Sequence, residues 1–114
     1  MVHYARTTID ATFAAVADPT RRGILERLGA GERSISDLAA AFDMTLTGMK
    51  KHVHVLESAG LVVTEKVGRT RQCRVGPARL EQEAMWIETY RAMLDREIRV
   101  ERVLAPRVIA LGKR

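Results

Sequence analysis

Residues 43–62 read DMTLTGMKKHVHVLESAGLV, and their spacing predicts a helix with a marked start and stop. Thr45 carries the side-chain oxygen that an N-cap needs, and Met49, Val53 and Leu56 recur on one helical face. Gly60 supplies the residue type that ends such helices. Asp43 and Met44 leave only a tight connection to the segment before, a short helix that Ser36 is expected to cap and whose inward stripe is Leu38, Ala41 and Phe42. Two helices joined so closely form the helix-turn-helix pattern, which offers its second helix to a DNA major groove.

The flanks extend the pattern. Upstream, Ile9, Phe13 and Val16 recur at helical spacing over about residues 8–17, and Asp18 followed by Pro19 starts another helix that carries Ile24, Leu25 and Leu28 and stops at Gly29 and Gly31. Downstream the period changes to that of strands. LVVTEKV and TRQCRV, separated by Gly68 and Arg69, read as a hairpin. A helix-turn-helix followed by a hairpin is a winged helix.

Pro77 is expected to open a last helix over about residues 77–105, with Leu80, Ala84, Ile87, Leu94 and Ile98 along one side and Trp86, Tyr90, Met93 and Val100 along another. From Pro77 to Leu104 such a helix spans roughly 40 Å, more than a small domain needs for its own core, and Pro106 marks its expected end. The expected fold is therefore mostly α, a single winged helix-turn-helix domain over residues 1–114 with about five helices and a two-stranded wing. Its first and last helices are expected to pair two copies through Ile9, Phe13, Trp86, Tyr90, Met93, Leu94 and Ile98. A two-fold pair sets two recognition helices about one DNA turn apart, which calls for a near-palindromic operator.

Composition narrows the partners. Lys and Arg number 19 against 14 Asp and Glu, a net charge of +5 that favours a phosphate-rich partner, while 4% aromatic residues argue against a stacking surface for single strands. One cysteine excludes a disulfide scaffold and a Cys-rich zinc finger. No apolar run is long enough to span a membrane, and the N-terminus lacks the apolar stretch of a signal peptide, so a cytoplasmic protein is expected.

Candidate contacts follow from these elements. Thr45, Thr47, Lys50, Lys51 and His54 lie off the apolar face of the helix that Thr45 caps and Gly60 stops, and carry groups suited to base edges and phosphates. In the hairpin, Arg69 and Arg71 are the favoured contacts among four cations that include Lys66 and Arg74, because strand alternation sends Arg71 and Arg74 to opposite faces. His52 suits packing as well as DNA contact. Arg21 and Arg22 suit either phosphate or ion pairs with Asp18 and Glu26. Cys73, flanked by arginines, is either a redox-sensitive thiol or a buried inert one. His3, His52 and His54 do not make a paired ligand set, and neither a metal nor any other cofactor is expected.

In this order the elements resemble the ArsR-type family of winged-helix transcriptional repressors over nearly the whole chain. ADPTRRGILERL at 17–28 is similar to the family's second helix, MKKHVHVLESAGLV at 49–62 to its recognition helix, and VGRTRQCRV at 67–75 to its wing. WIETYRAMLDREI at 86–98 resembles a subgroup whose final helix carries Trp-x-x-x-Tyr and which is not typically metal-sensing. The resemblance implies a homodimeric repressor that binds double-stranded DNA. Two departures stand out. Where relatives usually carry Val-Ser before the basic residue and histidine, this chain has Met49 and Lys50 before Lys51 and His52, and where metal sensors carry Cys-x-Cys it has Ser34 and Ser36 before Asp37 and Leu38. The alternative is a winged-helix interaction module or a small-ligand or redox sensor without tight DNA binding. An enzyme has little support, since the sequence holds no phosphate-binding glycine loop and no metal motif.

Overall fold

The computed structural model describes the backbone of residues 2–104 and the side chains of residues 9–97. Its elements are α1 (Val2–Val16), α2 (Pro19–Gly29), β1 (Arg33–Ser34), α3 (Ile35–Ala41), α4 (Leu46–Ser58), β2 (Val62–Val67), β3 (Thr70–Val75) and α5 (Glu81–Leu104). The chain divides after Leu80 into a winged unit and a second unit that holds α5.

The core of the winged unit forms where the apolar faces of four helices meet the sheet. Ala15 of α1, Ile24 and Leu28 of α2, Ile35, Leu38 and Ala39 of α3, and Met49, Val53 and Leu56 of α4 are buried together with Leu61, Val62 and Cys73. Local chemistry sets the helix ends. The Asp18 carboxylate accepts from the Arg21 backbone N–H at 3.0 Å and Pro19 occupies the first turn of α2. The carbonyls left open at the end of α1 are closed from the next helix: Arg21 donates to Ala15 O at 2.7 Å and Ala14 O at 3.1 Å, and Arg22 to Val16 O at 2.9 Å.

In α4, Thr45 Oγ1 accepts from Gly48 N at 3.0 Å, and Gly60, at φ 76°, turns the chain into β2. Gly76 is fixed by close approach instead. A Cβ there would collide with the Gly60 carbonyl oxygen and come within 2.9 Å of Leu61 C and Val62 N, across the seam where Gly76 N donates to Leu61 O at 2.8 Å.

Four expectations are corrected. α1 begins at Val2 rather than near Thr8, because VHYARTT contains no glycine or proline to stop the helix. α3 is capped by Ser34, whose Oγ accepts from Asp37 N at 3.0 Å, and not by Ser36. The helix thus starts two residues early, which buries Ile35, Leu38 and Ala39, leaves Ala41 exposed and half-buries Phe42 under the Arg27 guanidinium, 5.4 Å from the ring centre. The wing has a third strand, in the antiparallel order β1-β3-β2, with Arg33 opposite Cys73 and Val62 opposite Val75. α5 starts at Glu81, not Pro77, because Leu80 sits at φ 58° and interrupts any helix from the proline. The side chains of His3, Ile98 and Val100, and the expected stop at Pro106, lie outside the described residues.

Candidate nucleic-acid interface

Successive residues of a helix turn by about 100°, so Thr47, Lys50, Lys51 and His54 share the side of α4 away from Met49, Val53 and Leu56. All four are exposed. Thr45 is exposed at the N-cap; its oxygen already accepts from Gly48 N, and its hydroxyl hydrogen is left to donate.

The wing brings further cations against one edge of this face. Between α3, α4 and the hairpin lies a hollow of about 270 Å³ lined by Ser36, Lys50, Lys66, Arg69, Thr70 and Arg71, among others. A second hollow, lined in part by Lys50, His54, Glu57, Thr64 and Arg71, continues along α4. The structure thus gathers Lys50, His54, Arg69 and Arg71, whereas Thr45, Thr47 and Lys51 line neither hollow. Ser36 and Thr70 were not among the expected contacts. Their signal was present in part, since each stands beside a segment already marked by its charge or its turn.

Hydrogen bonds sort the arginines. Arg71 donates to Thr64 Oγ1 at 3.0 Å, and that hydroxyl donates to Glu57 Oε2 at 2.9 Å, a relay from β3 through β2 to α4. Arg74 pairs with Glu65 at 3.3 Å. Arg21 and Arg22 close the end of α1, and the third donor of Arg21 meets His52 Nδ1 at 3.2 Å, with Asp18 Oδ2 4.0 Å from the same nitrogen. A guanidinium only donates, so Nδ1 accepts, and half-buried His52 takes the packing role. The Arg21 backbone N–H holds the Asp18 carboxyl below its ordinary range against the opposing effect of burial, and the charge of Arg21 acts the same way as that N–H.

Cys73 is fully buried. Burial, with the Glu57 charge adding to it and Arg71 opposing, pushes its thiol up to about 11, so at neutral pH it carries no thiolate. Among the described residues no group of three or more His, Cys, Asp or Glu is placed to hold a metal ion, and no helix is long and apolar enough to cross a membrane. Of the expected pairing residues, Ile9 and Phe13 are half-buried, and on α5 both stripes are exposed: Trp86 at 56%, Tyr90 at 46%, Met93 at 48% and Leu94 at 41%. The Trp86 and Tyr90 rings stack with centroids 5.7 Å apart.

Known proteins place this geometry. A helix-turn-helix domain family matches residues 16–65. The transcriptional repressor SdpR of Bacillus subtilis (strain 168) is 27% identical over 75 residues, which span 66% of this chain and 83% of that protein. The crystal structure of an ArsR family transcriptional regulator matches with a TM-score of 0.72 and 36% identity, over 79% of this chain and 93% of the other. The solution structure of a homodimeric winged helix-turn-helix DNA-binding domain from Mycobacterium bovis, a possible ArsR-family regulator, matches with a TM-score of 0.63 and 26% identity, over 82% and 83% of the two chains. A chain that covers 93% of a 36%-identical ArsR structure, and that itself folds as a helix-turn-helix with a wing, belongs to the ArsR family of winged helix-turn-helix transcriptional regulators.

Proposed function

We propose that the protein is a homodimeric repressor that binds a near-palindromic duplex operator, with α4 in the major groove and the wing on the flanking backbone. The observation that carries this reading is the cationic side of α4 and the wing. Lys50, Lys51, Lys66 and Arg69 are exposed and have no carboxylate partner among the described residues. Solvated cations gathered on one face attract a polyanion, and binding them releases the counterions condensed on duplex DNA. Thr45, Thr47, Lys50, Lys51 and His54 are the contacts from α4, Arg69 and Arg71 those from the wing.

Pairing of two copies through α1 and α5 is supported by the exposed apolar side chains of α5, since apolar side chains exposed together on one helix are normally covered by a partner. Occupying an operator is enough to repress, because a bound dimer blocks access to the same DNA. Within the family, the Trp86 and Tyr90 pattern and the missing thiolates favour the subgroup that does not sense metals. Ser34 stands where a thiolate would be and spends its oxygen on capping α3. The buried thiol of Cys73 speaks against a redox sensor. Selection of bound fragments from random duplex DNA tests the reading: a recovered consensus with two-fold symmetry supports it, and recovery of no consensus by a folded dimer overturns it.

A further inference from the structure

A helix in the major groove and a hairpin at the adjacent minor groove must straddle the sugar–phosphate strand that separates the two grooves. Between α4 and the wing this protein has a hollow, and its walls are chemically uneven. Lys50 reaches it from the helix, Lys66, Arg69 and Arg71 from the hairpin, and Ser36 and Thr70 add hydroxyls. The strand register makes the feature harder to dismiss as surface charge. Lys66 and Arg71 stand directly opposite each other on β2 and β3, a like-charge pair that destabilises a hairpin unless an anion lies between or beside the two. Arg71 is also restrained, through Thr64 to Glu57, so that its guanidinium stays between the hairpin and α4. Lys51, about 100° around the helix from Lys50, takes no part in the hollow.

From this placement we infer that the hollow is the seat of a DNA backbone phosphate held by Lys50, Lys66 and Arg71, so that the adjacent lysines of α4 have different tasks: Lys50 grips the backbone and Lys51, with Thr47, reads base edges. The inference rests on the DNA-binding reading above and assigns parts within it. It also bears on the departure at Met49 and Lys50, for the second ammonium group then adds grip and leaves sequence readout to Lys51.

The test compares the parent with Lys50→Ala and Lys51→Ala, both at exposed positions, on a selected operator and on a scrambled duplex of equal length across a salt series. Lys50→Ala should weaken binding to both duplexes by the same factor and make the slope of log affinity against log salt shallower, by at most about 0.9 per protomer because Lys66 and Arg71 remain on the same phosphate. Lys51→Ala should lower the operator-to-scrambled ratio roughly tenfold. Exchanged or identical behaviour of the two variants overturns the division of tasks while leaving DNA binding intact. A folded parent with no salt-dependent duplex affinity overturns DNA binding and the inference with it. Inorganic phosphate, titrated at constant ionic strength without DNA, separates the two possible sources of the anion: no saturable binding is expected, and stoichiometric binding that Lys50→Ala abolishes would make the hollow a small-anion site instead.

Discussion

Replacing Arg21 by Met keeps most of the side-chain stem and removes the guanidinium, which in this fold ties three helices. Its Nε and one terminal nitrogen donate to Ala15 O and Ala14 O at the end of α1, the other meets His52 on α4, and its own backbone N–H donates to Asp18, the cap of α2. Hydrogen bonds from a charged donor contribute about 1.5–3 kcal/mol each when buried, and those near the surface toward or below the low end of that range. Three part-exposed bonds lost together, with the freed carbonyls able to find water, amount to about 2–3 kcal/mol. For a chain of this size that is a fall in Tm of about 10 °C or more, read by circular dichroism at matched protomer concentration. Arg21→Lys should recover little of it, because one ammonium group cannot serve three acceptors on three sides. The same variant decides between the two roles that the sequence left open for this residue. An arginine engaged internally leaves the salt dependence of DNA binding unchanged in the folded protein, whereas a phosphate contact would be lost as a slope shallower by about 0.9. A melting temperature within about 2 °C of the parent would mean that the guanidinium does not tie these helices, and a shallower salt slope would place Arg21 on phosphate.

Three other outcomes follow from the same packing. Cys73 should resist alkylation in the native protein near neutral pH, and because its ionisation at about 11 lies above the ordinary 9.0, stability should hold below pH 9 and fall as the pH rises from there toward 11, the unfolded chain losing its proton first; fast labelling of the folded protein would contradict this. Gly76→Ala should destabilise the winged unit by about 2–4 kcal/mol in denaturant titration, since the new methyl group meets backbone of Gly60, Leu61 and Val62 that cannot turn aside. Leu94→Glu or Met93→Glu should yield monomers by sedimentation and with them a loss of operator affinity, because a charge is placed in the exposed apolar surface of α5; a dimer that withstands both moves the interface elsewhere.

What could be read from the sequence was what is encoded locally. Thr45, the spacing of Met49, Val53 and Leu56, and Gly60 lie within one segment, and each does in the fold what its chemistry implies. The hairpin turn at Gly68 and Arg69 is equally local. The misplaced features depend on distant contacts. β1 is two residues long, too short for any alternation to show, and exists because Arg33 and Ser34 find β3 some forty positions later. Ser34 and Ser36 have the same capping chemistry, and the burial of Ile35, a tertiary matter, decides between them. Pro77 is a fair start signal, but Leu80 in the left-handed region postpones α5 to Glu81. For Arg21 the sequence shows near acidic neighbours at helical spacing, while its actual acceptors are the end of another helix and a histidine 31 residues away. The candidate site divides in the same manner: the exposed side of α4 was legible from periodicity, and the hollow that joins Lys50 to Lys66 and Arg71 needed the wing folded beside the helix.

Binding of duplex DNA by the cationic side of α4 and the wing makes a quantitative demand on salt dependence. The affinity of the protein for its selected duplex, followed as salt is raised, measures that dependence. With the phosphate seated in the hollow and one more at Arg69 neutralised in both protomers, log affinity should fall against log salt with a slope of roughly −4. A slope near zero, or affinity for duplex no greater than for an uncharged control, would mean that this face does not hold the DNA backbone.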